Sequence, residues 1–368
     1  MYVMRSSMPT YEEYIKAIKP LWDSHCLTNM GTFHEELESQ LKEFLHVPEV
    51  SLMVNGHMAL ELAIQAMDFP AGSEVITTPF TFISTTHAII RNNLIPVFCD
   101  VKETDGTIDE MKIERLISNR TVAILPVHVY GHICNVEAIE KIAKQYDLKV
   151  IYDAAHAFGE EYQGIGVGKF GDASIFSFHA TKVFNTIEGG AVTFANHKLY
   201  EKLYNLKNFG IRGKEVVVEV GTNAKMNEFS AIMGLCNLKH FEEEIEKRKK
   251  RYEYYRESLS HIRGIRMFEP RSDIKYNYAY LPIRVNASEY GMSRDELFKF
   301  LERHNIFARK YFFPLITRQN CFRDRFNQFS VEVAEAISDE ILTLPLYADL
   351  EFEIIDKIVD LAREAGGD

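Results

Sequence analysis

A largely parallel, doubly wound α/β sheet followed by a smaller C-terminal α/β domain is the fold this sequence predicts. Three observations predict it. Short apolar runs alternate with helix-like stretches over about the first 240 residues, a charged helical run then leads away from them, and a shorter alternation of strands and helices resumes beyond it.

The elements follow in order. An amphipathic helix is expected over residues 36–44, then a strand over 50–54. From Gly56 a stretch rich in Ala, Leu and Met reads as a helix, with Asn55 at the N-cap position, where its side-chain oxygen can accept a free amide of the first turn. Further strands are expected over 74–77, 95–99, 122–129, 150–153 and 173–178, mostly separated by helices such as 136–146. From about His240 the run Glu242-Glu243-Glu244 through Lys247-Arg248-Lys249-Lys250-Arg251 to Tyr255 mixes its signs, so it reads as a solvated helix between domains and not as a nucleic-acid patch. Beyond it, strand-like pieces at 278–285 and 306–311 alternate with helices at 293–303 and 352–364. The expected division is a large domain over 1–245, with a helical N-terminal segment, and a small domain over 246–368.

Composition excludes several classes. With 368 residues, 46% of them hydrophobic, the chain can bury a sizeable core. A formal charge of −11 argues against a general nucleic-acid-binding surface and leaves room for a local basic pocket with a small anionic ligand. The cysteines Cys26, Cys99, Cys134, Cys236 and Cys321 are scattered, odd in number and without metal-ligand spacing, so they read as reduced structural thiols. No export signal opens the sequence and no apolar stretch approaches the roughly 20 residues that span a bilayer, so a cytoplasmic location without membrane contact is expected.

Two residues point to chemistry. Lys182 closes the run Ser177-Phe178-His179-Ala180-Thr181-Lys182, which follows a strand-like segment and precedes the turn Glu188-Gly189-Gly190. Most lysines are solvated surface charges, yet one at such a position can serve as a Schiff-base nucleophile. About thirty residues earlier the apolar run Leu148-Lys149-Val150-Ile151-Tyr152 ends in Asp153, followed by Ala154-Ala155-His156. A carboxylate thus stands where a buried strand stops, and ligands of α/β sheets bind at strand ends. Pyridoxal phosphate needs a lysine to capture its aldehyde, a carboxylate to keep its ring nitrogen protonated, and donors for its phosphate. The chain offers candidates for all three. Taken alone, Asp153 can equally be a carboxylate that caps the next helix.

Several ordered motifs sharpen this: Tyr152-Asp153-Ala154-Ala155-His156, Gly171-Asp172-Ala173-Ser174-Ile175-Phe176-Ser177-Phe178, Thr181-Lys182 with Glu188-Gly189-Gly190, and Gly221-Thr222-Asn223-Ala224-Lys225-Met226-Asn227-Glu228. On these, from about Pro9 to the C terminus, the chain resembles the sugar aminotransferases of the DegT/DnrJ/StrS family, which have the aspartate-aminotransferase (type I) fold and use pyridoxal 5′-phosphate. The resemblance implies that Lys182 binds the cofactor covalently and, once released, moves the proton, and that Asp153 holds the pyridinium proton. It implies His156 beside the ring hydroxyl, Phe82 stacked on the ring, and Ser177 on the phosphate, with Ser174 structural. Gly56 and His57 open a helix whose free amides suit a phosphate; many relatives have Thr or Ser in place of His57, so only the backbone donation carries over. Asn223 is similar to an asparagine that crosses the subunit interface to the partner's cofactor phosphate, which implies a homodimer with shared sites. Tyr311 falls near the substrate entrance in an imperfect match, with Arg309 or Lys310 available to a diphosphate. The residues alone leave simpler readings open: a buried, backbone-satisfied histidine for His156, core for Phe82, a turn for Asn223.

The reaction so implied transfers an amino group from L-glutamate to a nucleotide-linked ketosugar, foremost dTDP-4-keto-6-deoxy-D-glucose, with ping-pong kinetics and a surface polysaccharide such as an O-antigen as the product's destination. The alternatives are a 3-aminotransferase on a dTDP-3-keto-6-deoxyhexose, a sugar dehydratase of the same fold, which typically has histidine in place of Lys182, and a non-catalytic regulator.

Overall fold

The computed structural model describes residues 1–322, 325–326 and 328–367. At its centre is a seven-stranded sheet in the spatial order Glu49–Met53, Gly190–Phe194, Ala173–Ser177, Lys149–Asp153, Thr121–Leu125, Glu74–Thr77, Ile95–Phe98. The last five are mutually parallel, whereas Gly190–Phe194 is antiparallel to both of its neighbours. Six strands therefore point the same way and end at one edge of the sheet. Helices Gly56–Gln65, Ile83–Arg91 and Val136–Tyr146 form crossovers, so both faces are covered and the strands are almost continuously buried.

Two helix starts have a local cause in the sequence. The Asn55 side chain accepts the Met58 amide at 2.8 Å, the N-cap expected from the sequence. Ser293 and Glu296 make a capping box at the start of Arg294–Arg303. Behind the first strand, buried Lys207 donates to Glu38 and to the Leu52 carbonyl, and Glu38 accepts the Leu52 amide. This polar cluster fixes the strand that leads into Asn55 and Gly56.

Helix Phe241–Leu259, 19 residues long, carries the chain to an antiparallel three-stranded sheet, Ile265–Met267, Leu281–Val285 and Ile341–Leu344, covered by Arg294–Arg303 and Phe352–Gly366 over its own apolar core. The boundary expected at residue 245 falls inside that helix. At the other end of the chain, Phe307 donates its amide to the Met1 carbonyl and Leu346 to that of Val3, so the first residues lie against this second core.

Three expected strands are shorter or absent. Residues 306–311 form no strand: Arg309 makes a single bridge to Thr343, and Phe307 one to Tyr2. Ile306 and Ala308 are buried in the second apolar core without a strand of their own. The run 278–285 pairs only from Leu281, because Tyr278 adopts φ +51° and breaks the extended backbone. The run 122–129 stops at Leu125, and Val129–Gly131 closes a tight turn. Gly190–Phe194, Ile341–Leu344 and the almost wholly buried helix Glu228–Lys239 were not among the expected elements.

Candidate active site

The edge where the parallel strands end holds a cavity of about 330 Å³. Strand Lys149–Asp153 brings Asp153 and, beyond it, His156; strand Ala173–Ser177 brings Ser177 and, beyond it, Lys182; the segment after Glu74–Thr77 brings Phe82; the helix after Glu49–Met53 brings Gly56 and His57. Tyr311 enters from the second lobe. All of these line one cavity although they span more than 250 positions of sequence.

One corner suits an anion. Helix geometry leaves the Gly56 and His57 amides without intrahelical acceptors. Ser177 lies hard against them, since a Cβ on Gly56 would stand 2.7 Å from the Ser177 Cβ and 3.0 Å from its Oγ. Gly190, paired with Ser177 across the sheet, is equally close, a Cβ there meeting the Asn55 and Gly56 backbone at 2.7 Å. The absence of both side chains lets hydroxyl and free amides converge. The His57 ring turns aside, its Nδ1 2.8 Å from Ser84 Oγ and its Nε2 3.4 Å from Glu61. Gly56→Ala is expected to push Ser177 and the helix apart, at a cost of about 1–3 kcal/mol, and to weaken inorganic-phosphate binding by the apoprotein. Thermal denaturation and a phosphate titration check this; a variant unchanged in both would contradict the close approach.

The opposite wall is carboxylate and imidazole. Asp153 is buried, accepts a hydrogen bond from Thr85 Oγ1 at 2.8 Å, and accepts the Ala155 amide at 3.2 Å. Burial pushes its carboxyl above the usual aspartate range, against the opposing pull of those two bonds and of Lys182. His156 is held far below the usual histidine range by burial, with Lys182 adding to the effect. Its Nδ1 accepts the Tyr130 amide at 3.0 Å, so the neutral ring carries its proton on Nε2. The Lys182 amine donates to Tyr280 Oη at 3.1 Å.

Phe82, the N-cap of helix Ile83–Arg91, is 57% exposed at the cavity wall, so it is not core. Ser174 donates to the Val167 and Phe170 carbonyls, a structural role. Of the two cations near Tyr311, Lys310 is paired with Asp295 and lies over Phe298, while Arg309 has no ion pair among the described residues.

Asn223 does not line this cavity. It is exposed, accepts from Lys225 Nζ at 2.8 Å, and bridges to Asn208 at the base of a hairpin whose residues Ile211, Val216, Val217, Val218 and Val220 are also exposed. A wider hollow of about 670 Å³ beside that hairpin contains Tyr204, Arg212 and Lys214 and none of the residues that line the first cavity. Sequence reasoning missed Thr85, Tyr280, His179 and Glu188. Thr85 and Tyr280 lack a local signal, because they reach Asp153 and Lys182 across 68 and 98 positions. His179 and Glu188 stand inside the quoted motifs and line the cavity.

The donor set fits pyridoxal phosphate: an amine, a buried carboxylate, a neutral imidazole N–H, and a hydroxyl beside free helix amides. Among the described residues no cluster of His, Cys, Asp and Glu is arranged to hold a metal ion, and no helix is long and apolar enough to cross a membrane.

Comparison with known proteins agrees with this fit. A sequence profile described as the DegT/DnrJ/EryC1/StrS aminotransferase family matches residues 10–363. A dTDP-4-amino-4,6-dideoxy-D-glucose transaminase of Shigella dysenteriae is 41% identical over 364 residues, covering 99% of this chain and 98% of the relative. One of the same name from Escherichia coli is also 41% identical, covering 98% and 97%. A solved structure of DesI in the presence of its TDP-sugar product superposes with a TM-score of 0.94 at 29% identity, covering 99% of this chain and 92% of that one.

Proposed function

The chain belongs to the DegT/DnrJ/EryC1/StrS aminotransferase family, and we propose that it converts dTDP-4-keto-6-deoxy-D-glucose to dTDP-4-amino-4,6-dideoxy-D-glucose with L-glutamate as amino donor. It is a pyridoxal-phosphate-dependent nucleotide-sugar transaminase of the type I fold. The observation that carries the choice of sugar is the 41% identity, over nearly the whole of both chains, to two transaminases that bear this product's name.

When bound, pyridoxal phosphate supplies an electron-withdrawing ring that stabilises negative charge at the carbon bearing the nitrogen. The residues of this chain then divide the work. Lys182 Nζ binds the cofactor aldehyde covalently and, when free, moves the proton at the nitrogen-bearing carbon. Asp153, buried and only partly compensated by Lys182 in the apoprotein, gains a closer countercharge by holding the ring-nitrogen proton. His156 Nε2–H donates to the ring oxygen. Phe82 covers one ring face, and Gly56, the His57 amide and Ser177 hold the phosphate. Tyr311, with Arg309 nearby and without an ion pair among the described residues, lines the sugar-nucleotide entrance.

The site is shared between two subunits in this reading, with Asn223 serving the partner's phosphate corner. The exposed apolar hairpin that leads into Asn223 supports it, since Val220 at 90% exposure is costly on a monomer surface. The glutamate donor and a surface polysaccharide as destination rest on the family resemblance, and the cytoplasmic location on the sequence reading of its N-terminal region and apolar stretches. In mixed dimers of Lys182→Ala and Asn223→Ala subunits, one site of two is rebuilt intact, so activity is expected to recover to roughly a quarter of wild type or less. No recovery at any mixing ratio would sink the shared site.

The substrate assignment is tested by incubating the holoenzyme with L-glutamate and either the 4-keto or the 3-keto dTDP-6-deoxyhexose and locating the new amine by NMR. An amine at C4 is expected; turnover of the 3-keto sugar alone would overturn the assignment.

A further inference from the structure

Tyr280 stands just before strand Leu281–Val285, packs into the same apolar core as Phe178 and Val183, and is 6% exposed. Its hydroxyl receives the Lys182 amine at 3.1 Å, and Nζ lies 5.6 Å from the ring centroid. The ring cannot swing away, because His156, Tyr130 and Tyr311 pack against it with centroids at 4.6, 5.9 and 6.3 Å. The geometry points to Tyr280 as the positioning residue that holds the free amine of Lys182 against the cavity wall.

The reason lies in hydrogen-bond chemistry. Lys182 is free while the transferred nitrogen resides on cofactor or substrate, and a four-carbon side chain left to itself samples many rotamers. A phenol hydroxyl both donates and accepts, so Tyr280 holds the lysine as an ammonium, accepting from it, and as a neutral amine, donating to it. The contact therefore survives each gain and loss of the proton that Lys182 carries. A methionine or phenylalanine would fill the space and hold neither form. An aspartate would favour the ammonium and oppose release of its proton. The anchor also reaches the lysine from 98 positions away, just before strand Leu281–Val285, so the amine is fixed only when the segment leading into that strand is packed as here.

This inference rests on the assignment of Lys182 as the cofactor-binding lysine, and its test separates the two. Borohydride reduction of wild-type holoenzyme, followed by peptide mass analysis, identifies the lysine that carries the cofactor. Tyr280→Phe, which keeps the ring packing, is then compared with wild type in two ways. In the apoprotein, reductive methylation of Lys182 is expected to rise about threefold or more, with buried Lys207 unchanged. In the holoenzyme, kcat is expected to fall about tenfold with KM within about twofold, the size of losing one hydrogen bond to a charged group. Unchanged methylation and kcat, with Lys182 carrying the cofactor, would overturn the role of Tyr280 alone. A lower kcat accompanied by lower melting temperature and cofactor loss, with methylation unchanged, would also overturn it, as a packing effect. Cofactor on another lysine would remove both assignments together.

Discussion

Lys182→Ala is expected to leave the protein folded and without turnover. The side chain lines a cavity and, among the described residues, makes one hydrogen bond, to Tyr280, so its removal opens space and withdraws only part of the compensation of buried Asp153, which keeps its bonds from Thr85 and Ala155. The catalytic loss is of another order. A lysine that both binds the aldehyde and carries the proton contributes twice, and acid–base catalysis alone accounts for roughly 10²–10⁴-fold. A fall of at least about 10⁴-fold in kcat is therefore expected, with cofactor that dialyses away and a protein solution that is no longer yellow. Coupled assay and absorption spectroscopy check both, and a fully active variant would end the mechanism proposed here.

Asp153→Asn is expected to separate binding from stability. In the apoprotein burial raises the Asp153 carboxyl pKa above its value in the unfolded chain. The folded state thus holds more protons than the unfolded state between those two values, and its stability falls as pH rises through that window. Above it the apoprotein keeps an ionised carboxylate in a buried site, with Thr85, Ala155 and Lys182 offsetting part of the cost. An amide of the same shape, which can still accept from Thr85, removes that cost. Apo Asp153→Asn should melt no lower than wild type at pH 8, with any advantage shrinking toward acid. Cofactor binding should weaken by about 2–5 kcal/mol, the penalty for leaving a buried cation unpaired. Calorimetry of the apoprotein at two pH values and a cofactor titration check the pair. A variant that loses stability at pH 8 and keeps its affinity would contradict the role given to Asp153.

The legible part of this molecule was the part written in contiguous residues. Strand Glu74–Thr77 and helix Val136–Tyr146 have the bounds that apolar period and flanking turn residues suggested, and Asn55 caps its helix as its type and place required. The cavity was legible for the same reason: strand ends carry Asp153 and Ser177, and six strands that end together bring such residues to one edge. What escaped depends on distant pairing. Residues 306–311 alternate like a strand, yet their neighbour Ile341–Leu344 takes only one bridge, at Arg309. Helix Glu228–Lys239 is apolar all round because helices lie on several of its sides, which erases the amphipathic period that marks a surface helix. Tyr280 is one of three tyrosines at alternate positions from 276 to 280, and only the tertiary fold brings its hydroxyl to Lys182, 98 positions away.

The most direct test of the central claim is the absorption spectrum of protein reconstituted with pyridoxal phosphate, followed through addition of L-glutamate and then of dTDP-4-keto-6-deoxy-D-glucose. The account predicts a lysine-bound cofactor band that glutamate converts to the amine form and that the ketosugar restores. Absence of a lysine-bound band, or a band that glutamate leaves unmoved, would contradict it.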